Sequence, residues 1–86
     1  MPPVTIYTRQ FCGYCTAAKR LLKERGIDFE EIDATGDSEK RQEMIARSGR
    51  YTFPQIFVGA NHVGGCDDLY ALHAQGDLDR LFTVAV

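Results

Sequence analysis

The spacing of apolar residues changes period several times along this chain, and each change marks a predicted element. Val4-Thr5-Ile6-Tyr7-Thr8 is β-branched and aromatic, which predicts a first strand. From Gly13 onward Tyr14, Ala18, Leu21 and Leu22 fall at helical spacing, and Gly26, after the basic turn around Lys23 and Arg25, predicts the stop. Phe29 to Asp33 reads as a second strand anchored by Phe29 and Ile32. A second helix, capped by Asp37 or Ser38, carries Met44 and Ile45 and ends at Gly49. Gln55-Ile56-Phe57-Val58 predicts a third strand, Gly59-Ala60-Asn61 a turn, and His62 and Val63 the centre of a short fourth strand. Asp67 and Asp68 open a third helix bearing Leu69 and Leu72 and stopped by Gly76. Asp77 caps a final helix through Leu78, Leu81 and Phe82.

The predicted order is β-α-β-α-β-β-α-α. A right-handed crossover makes strands one and two parallel, and the short turn after Val58 makes strands three and four antiparallel. The expected fold class is α/β: a mixed four-stranded sheet flanked by helices, in a single domain spanning 1–86.

Composition narrows the function. Of 86 residues, 44% are hydrophobic and 26% charged, the balance of an ordinary globular protein. With a net charge of −2 and no Lys/Arg block, no nucleic-acid partner is expected. No apolar run approaches the ~20 residues needed to cross a bilayer, so no membrane association is expected. The Met1-Pro2-Pro3-Val4-Thr5 start lacks the basic and apolar segments of a secretory signal, so the expected compartment is the cytoplasm. In such a reducing setting three cysteines are not a disulfide framework, and a close pair is catalytic or metal-binding.

Cys12-Gly13-Tyr14-Cys15 falls where the first strand has ended and the first helix begins. The first amides of a helix lack intrahelical partners and its dipole is positive there, so the thiolate of Cys12 is favoured. Arg9, upstream on the same loop, adds a cation that can approach the sulfur. Cys15, one turn deeper, is expected to be less exposed than Cys12. This predicts a division of work: Cys12 attacks, and Cys15 resolves the mixed disulfide. A Cys-x-x-Cys pair is also half of many zinc sites, and Cys66, His62 and His73 are the residues available to complete one. The strand-to-helix position favours redox work.

Three separated runs carry a family resemblance: Thr8-Arg9-Gln10-Phe11-Cys12-Gly13-Tyr14-Cys15, Thr52-Phe53-Pro54-Gln55-Ile56-Phe57, and Gly64-Gly65-Cys66-Asp67-Asp68-Leu69. Together they resemble the glutaredoxins, within the thioredoxin fold, and are most similar to the small bacterial dithiol type. The resemblance implies a glutathione-dependent thiol–disulfide oxidoreductase that reduces protein–glutathione mixed disulfides and protein disulfides. It implies a cis bond before Pro54 and, beside Thr52, backbone groups of Phe53 free to pair with the cysteinyl part of glutathione as a short strand. The family usually has Val where this chain has Phe53. Gly64 and Gly65 would let backbone approach the ligand. The start of helix three, Cys66 and Asp67, would receive the γ-glutamyl end, with Asp68 read as a helix cap. Arg9 and Arg41 would meet the glycyl carboxylate through paired hydrogen bonds, and Tyr14 would lie against the groove. Cys66 is read as a small, partly buried neighbour of the ligand. His62, at a turn, and His73, on a helix surface, are assigned no chemistry.

Many dithiol relatives have Pro where this chain has Gly13. Glycine restores an N–H that could point at the Cys12 sulfur and loosens the loop. Family members with a small residue here resemble carriers of a [2Fe–2S] cluster, which gives an alternative function. In that alternative Cys12 of each protomer and two glutathiones supply four thiolates to a dimer. Otherwise a monomer is expected, partnered by glutathione and by glutathionylated or disulfide-containing proteins.

Overall fold

A computed structural model describes residues 2–78 and 80. The elements are β1 (Val4–Thr8), α1 (Gly13–Glu24), β2 (Glu30–Asp33), α2 (Ser38–Ser48), β3 (Gln55–Val58), β4 (Asn61–Gly64) and α3 (Cys66–Ala74). The predicted final helix through Leu81 and Phe82 lies outside the described residues.

The sheet has the order β2-β1-β3-β4. β1 runs parallel to β2, with Ile6 opposite Glu31, and antiparallel to β3, with Ile6 opposite Ile56. β3 and β4 are antiparallel, with a register shift between Ile56 and Phe57. This is the mixed four-stranded α/β arrangement the apolar spacing predicts. β2 forms one edge, and Glu30, Glu31 and Asp33 on it are exposed.

Strand alternation sends side chains to two faces, and both are covered. Val4, Ile6, Ile56 and Val58 pack with Ala18, Leu21 and Leu22 of α1 and Leu69 of α3. On the opposite face Tyr7 and Phe57 pack with Met44, the one buried residue of α2. Each fully buried aliphatic chain contributes roughly 1.5–3 kcal/mol. Coverage on both sides explains why every residue of β3 is buried. A polar clasp holds α2 from outside: the Tyr7 hydroxyl donates to Glu43, and Arg47 donates to the Tyr7 oxygen at 2.8 Å. The Arg47 guanidinium carbon also lies 4.1 Å from the Phe57 ring centroid. Burial, then the Glu43 bond, raises the Tyr7 pKa.

Local differences from the sequence reading have local causes. Phe29 lies outside β2 as a half-buried residue packed on the core. Asp37, and not Ser38, caps α2, its carboxylate accepting the Lys40 amide at 3.1 Å. α3 opens at Cys66 with Gly65 as N-cap, one residue before the aspartates. His62 sits in β4, as the strand reading has it and not the turn one; its ring packs on Phe57 and its Nε2 is 2.7 Å from Gln55 Oε1. Tyr14 shares the helical spacing of Ala18 and Leu21, yet it is 67% exposed while they are buried.

Candidate functional site

β1 ends at Thr8, and after four intervening residues α1 begins at Gly13. Cys12 is the N-cap of α1, with extended backbone. The Cys15 amide donates to the Cys12 sulfur at 3.1 Å. An N-cap side chain ordinarily supplies oxygen for this bond; here sulfur does so. No acidic residue stands in the first turn of α1. The amide the structure brings to this sulfur is that of Cys15, whereas Gly13 had been expected to supply one.

Cys15 is 2% exposed. Burial first, and then its bond to Cys12, pushes its pKa up to about 12, so at neutral pH it is a thiol. The two cysteines thus occupy different chemical settings, one turn apart. Cys12, at 7% exposed, is more open than Cys15 as expected, though both residues are buried. Phe53, brought in by the α2–β3 loop, places its carbonyl oxygen 3.8 Å from the Cys12 sulfur and closes over it. The Arg9 guanidinium donates to the Gln10 carbonyl at 3.1 Å and, at a longer 3.5 Å, to that of Phe11, so it braces the loop.

A cleft of ≈430 Å³ opens beside the thiol. It is lined by Arg9, Tyr14, Thr52, Phe53, Pro54, Gly65, Cys66 and Asp67, together with Arg50. The structure therefore gathers all the expected glutathione-contacting residues except Arg41. Arg41 lines an adjoining cleft of ≈320 Å³, which shares Arg9 and Phe53 with the first. The Phe53–Pro54 peptide bond is cis. Thr52 is held by Gln55, a fully buried residue whose amide nitrogen donates to the Thr52 carbonyl at 3.0 Å and to its hydroxyl at 3.1 Å.

Gly65 faces the Pro54 carbonyl so closely that a Cβ would lie 3.4 Å from it. Gly64 has a different reason from the one expected. It adopts φ 123°, and a Cβ there would fall 2.2 Å from the Asp68 carboxylate. Its absent side chain makes room for a neighbour within the chain. That carboxylate accepts the Gly65 amide at 2.9 Å and pairs with Arg50 at 3.0 Å. Both bonds, the amide first, lower the Asp68 pKa. The cap read for Asp68 is present as half of a capping box, since glycine has no side chain to return the bond.

Arg50 was missed by sequence reading. Its sole signal was a basic residue just before the Thr52-Phe53-Pro54 run, and its pairing with Asp68 is tertiary. Cys66 is 8% exposed, and burial, then the Asp67 carboxylate, raises its pKa. His73 is half-buried in α3, its Nδ1 3.1 Å from Arg25. Among the described residues no group of three or more His, Cys, Asp or Glu is disposed to hold a metal ion.

A cysteine pair at the β1–α1 junction, facing a cis-proline loop at the edge of a β2-β1-β3-β4 sheet, defines a thioredoxin-fold protein. The glutaredoxin family model matches residues 4–63. Glutaredoxin 3 of Escherichia coli strain K12 is 57% identical over 81 residues, 94% of this chain and 98% of that protein. The solution structure of glutaredoxin from Brucella melitensis superposes with a TM-score of 0.84 at 60% identity, covering 94% of this chain and 88% of that one. The crystal structure of a buckwheat glutaredoxin–glutathione complex gives 0.85 at 27% identity, over 95% and 77%. This chain belongs to the glutaredoxin family. Its class of activity is thiol–disulfide oxidoreduction.

Proposed function

We propose that this chain reduces protein–glutathione mixed disulfides and protein disulfides, with glutathione as the electron donor. The observation that carries the reading is the Cys12 sulfur, bonded by the Cys15 amide and in contact with Phe53, whose loop lines a cleft of tripeptide size. Glutathione lies along Thr52, Phe53 and Pro54, with its γ-glutamyl end toward Gly65, Cys66 and Asp67. Its glycyl carboxylate lies toward Arg9 and Arg41, and Tyr14 covers one side. Cys12 attacks the glutathione sulfur of the mixed disulfide. The old S–S bond breaks, the protein leaves as thiolate and takes a proton from solvent, and Cys12 becomes glutathionylated. A second glutathione thiolate attacks the bound glutathione sulfur, releasing oxidised glutathione and restoring Cys12. With protein disulfides Cys12 attacks first and displaces one partner thiolate; Cys15 then attacks the Cys12 sulfur, its proton passing to the second departing partner thiolate, and two glutathiones reduce the internal disulfide and leave as oxidised glutathione.

The chain acts as one monomeric domain in the cytoplasm, where glutathione is abundant and reduced. Comparison of Cys12→Ser with Cys15→Ser on a glutathionylated peptide tests the assignment. The first change should abolish deglutathionylation and the second should retain most of it. Equal losses would remove the division of labour.

A second reading rests on Gly13, which is exposed and has no atom within 4 Å of where a Cβ would lie. Gly13 thus faces open space beside Cys12, on the side a second copy would approach. Cys12 of each copy, with two glutathione sulfurs, would complete the four thiolates a [2Fe–2S] centre takes. Anaerobic reconstitution with iron, sulfide and glutathione should give a brown dimer; a colourless monomer counts against it.

A further inference from the structure

Phe11 is the residue of the active loop that the proposed reaction leaves without a use. Its φ of 57° makes it the one described non-glycine residue with positive φ. That left-handed region is one a residue with a Cβ enters at a cost, and where glycine or asparagine is the ordinary choice. The ring gains no packing in return, for Phe11 is 97% exposed. The loop that presents it is pinned immediately before the strained residue. The Gln10 amide donates to Thr35 Oγ1 at 2.8 Å, and the Arg9 guanidinium donates to the Gln10 carbonyl. A strained backbone held in place while displaying an aromatic ring to solvent points to a contact made with something else.

What that something is follows from the burial of Cys12. Its 7% exposure means a partner's sulfur has to descend to it past the surrounding rim. Glutathione is small enough to enter the ≈430 Å³ cleft. The polypeptide on the other half of the disulfide is not, and it has to rest on the rim. Phe11 occupies that rim: it adjoins Cys12 in sequence, lines a second cleft with Cys12 and Cys15, and lines a third with Phe53. A partner segment lying extended over Cys12 turns the residues two places before and after its cysteine toward the same face. They then sit roughly 6–7 Å from the reacting sulfur's position, within reach of the neighbour of Cys12.

We propose that Phe11 determines specificity for the protein half of the disulfide substrate, its exposed ring receiving an apolar side chain two residues from the partner's cysteine. The proposal rests on the deglutathionylation reading above and names a substrate class for it: extended segments in which a glutathionylated cysteine is flanked at second positions by aliphatic or aromatic residues.

Two glutathionylated peptides test it, identical except for Leu or Ser at both second positions from the cysteine. The wild-type chain should show a kcat/KM about tenfold higher for the Leu peptide, the ratio that partial burial of an aliphatic side chain supports. Phe11→Ser should bring the ratio close to one, and Phe11→Leu should restore most of it. Because the readout is a ratio, loss of folded protein cannot imitate it. Equal rates of the wild type on both peptides, or a preference that survives Phe11→Ser, would overturn the proposal. Turnover of neither peptide by the wild type would instead overturn the deglutathionylation reading, and the role of Phe11 with it.

Discussion

The sulfur of Cys12 and the carbonyl oxygen of Phe53, forty-one residues apart in sequence, lie 3.8 Å from each other. The helix start and the cis-proline loop are thereby one site. The loop's position depends on Gln55, buried beneath it and bonded to Thr52 on one side and His62 on the other. Gln55→Leu would leave these partners unsatisfied at a cost of about 1–3 kcal/mol. Urea denaturation should show the loss, and KM for a glutathionylated peptide should rise severalfold while Cys12 remains reactive toward a small alkylating agent.

Cys15 gives a pH dependence of known sign. Its folded pKa, about 12, lies above the ~8.5 of an unfolded cysteine. Between those values the native state holds a proton the unfolded state has lost, so stability falls as pH rises. The contribution is complete below about pH 8 and should decline by up to about 2 kcal/mol by pH 10. Unfolding free energies measured under reducing conditions at pH 7 and 10 should differ more for the wild type than for Cys15→Ser.

Gly64 and Asp68 should behave as a coupled pair. Asp68→Ala removes the bond to the Gly65 amide and the Arg50 ion pair, and should cost about 1 kcal/mol. Gly64→Ala drives a methyl into the Asp68 carboxylate and should be more damaging alone than in the Asp68→Ala background. A double-mutant cycle by thermal or urea unfolding reads the difference. Because the folded pKa of Asp68 is lowered, its contribution is present above about pH 4 and disappears as the pH falls through that lowered value.

Met44, the one buried residue of α2, packs in the core with Tyr7 and Phe57. Met44→Ala should cost about 2–5 kcal/mol. The helix also carries Arg41, so KM for glutathionylated substrates should rise at temperatures where the variant is still folded.

The elements were readable because apolar spacing is a local property and here agrees with the caps. Val4-Thr5-Ile6-Tyr7-Thr8, the Asp37 cap and the Gly49 stop each match what they form. Most of the cleft was readable as well, since Thr52, Phe53, Pro54, Gly65, Cys66 and Asp67 lie in two short runs. What escaped was tertiary. Nothing beside Cys12 in the chain announces that Phe53 will close over its sulfur. Nor do the residues next to Arg50 show that it will pair with Asp68, or those next to Gly64 that its missing side chain serves a carboxylate four positions on.

The exposed carboxylates of Glu30, Glu31 and Asp33 have a consequence at the far side of the sheet from the cis-proline loop. An outermost strand offers unpaired amides and carbonyls to any extended chain that drifts past. Here that offer is guarded by the acidic side chains of Glu30 and Asp33, Glu31 being paired with Lys19, and a second copy aligning its own β2 would bring like charges face to face. Lateral growth of the sheet is discouraged there.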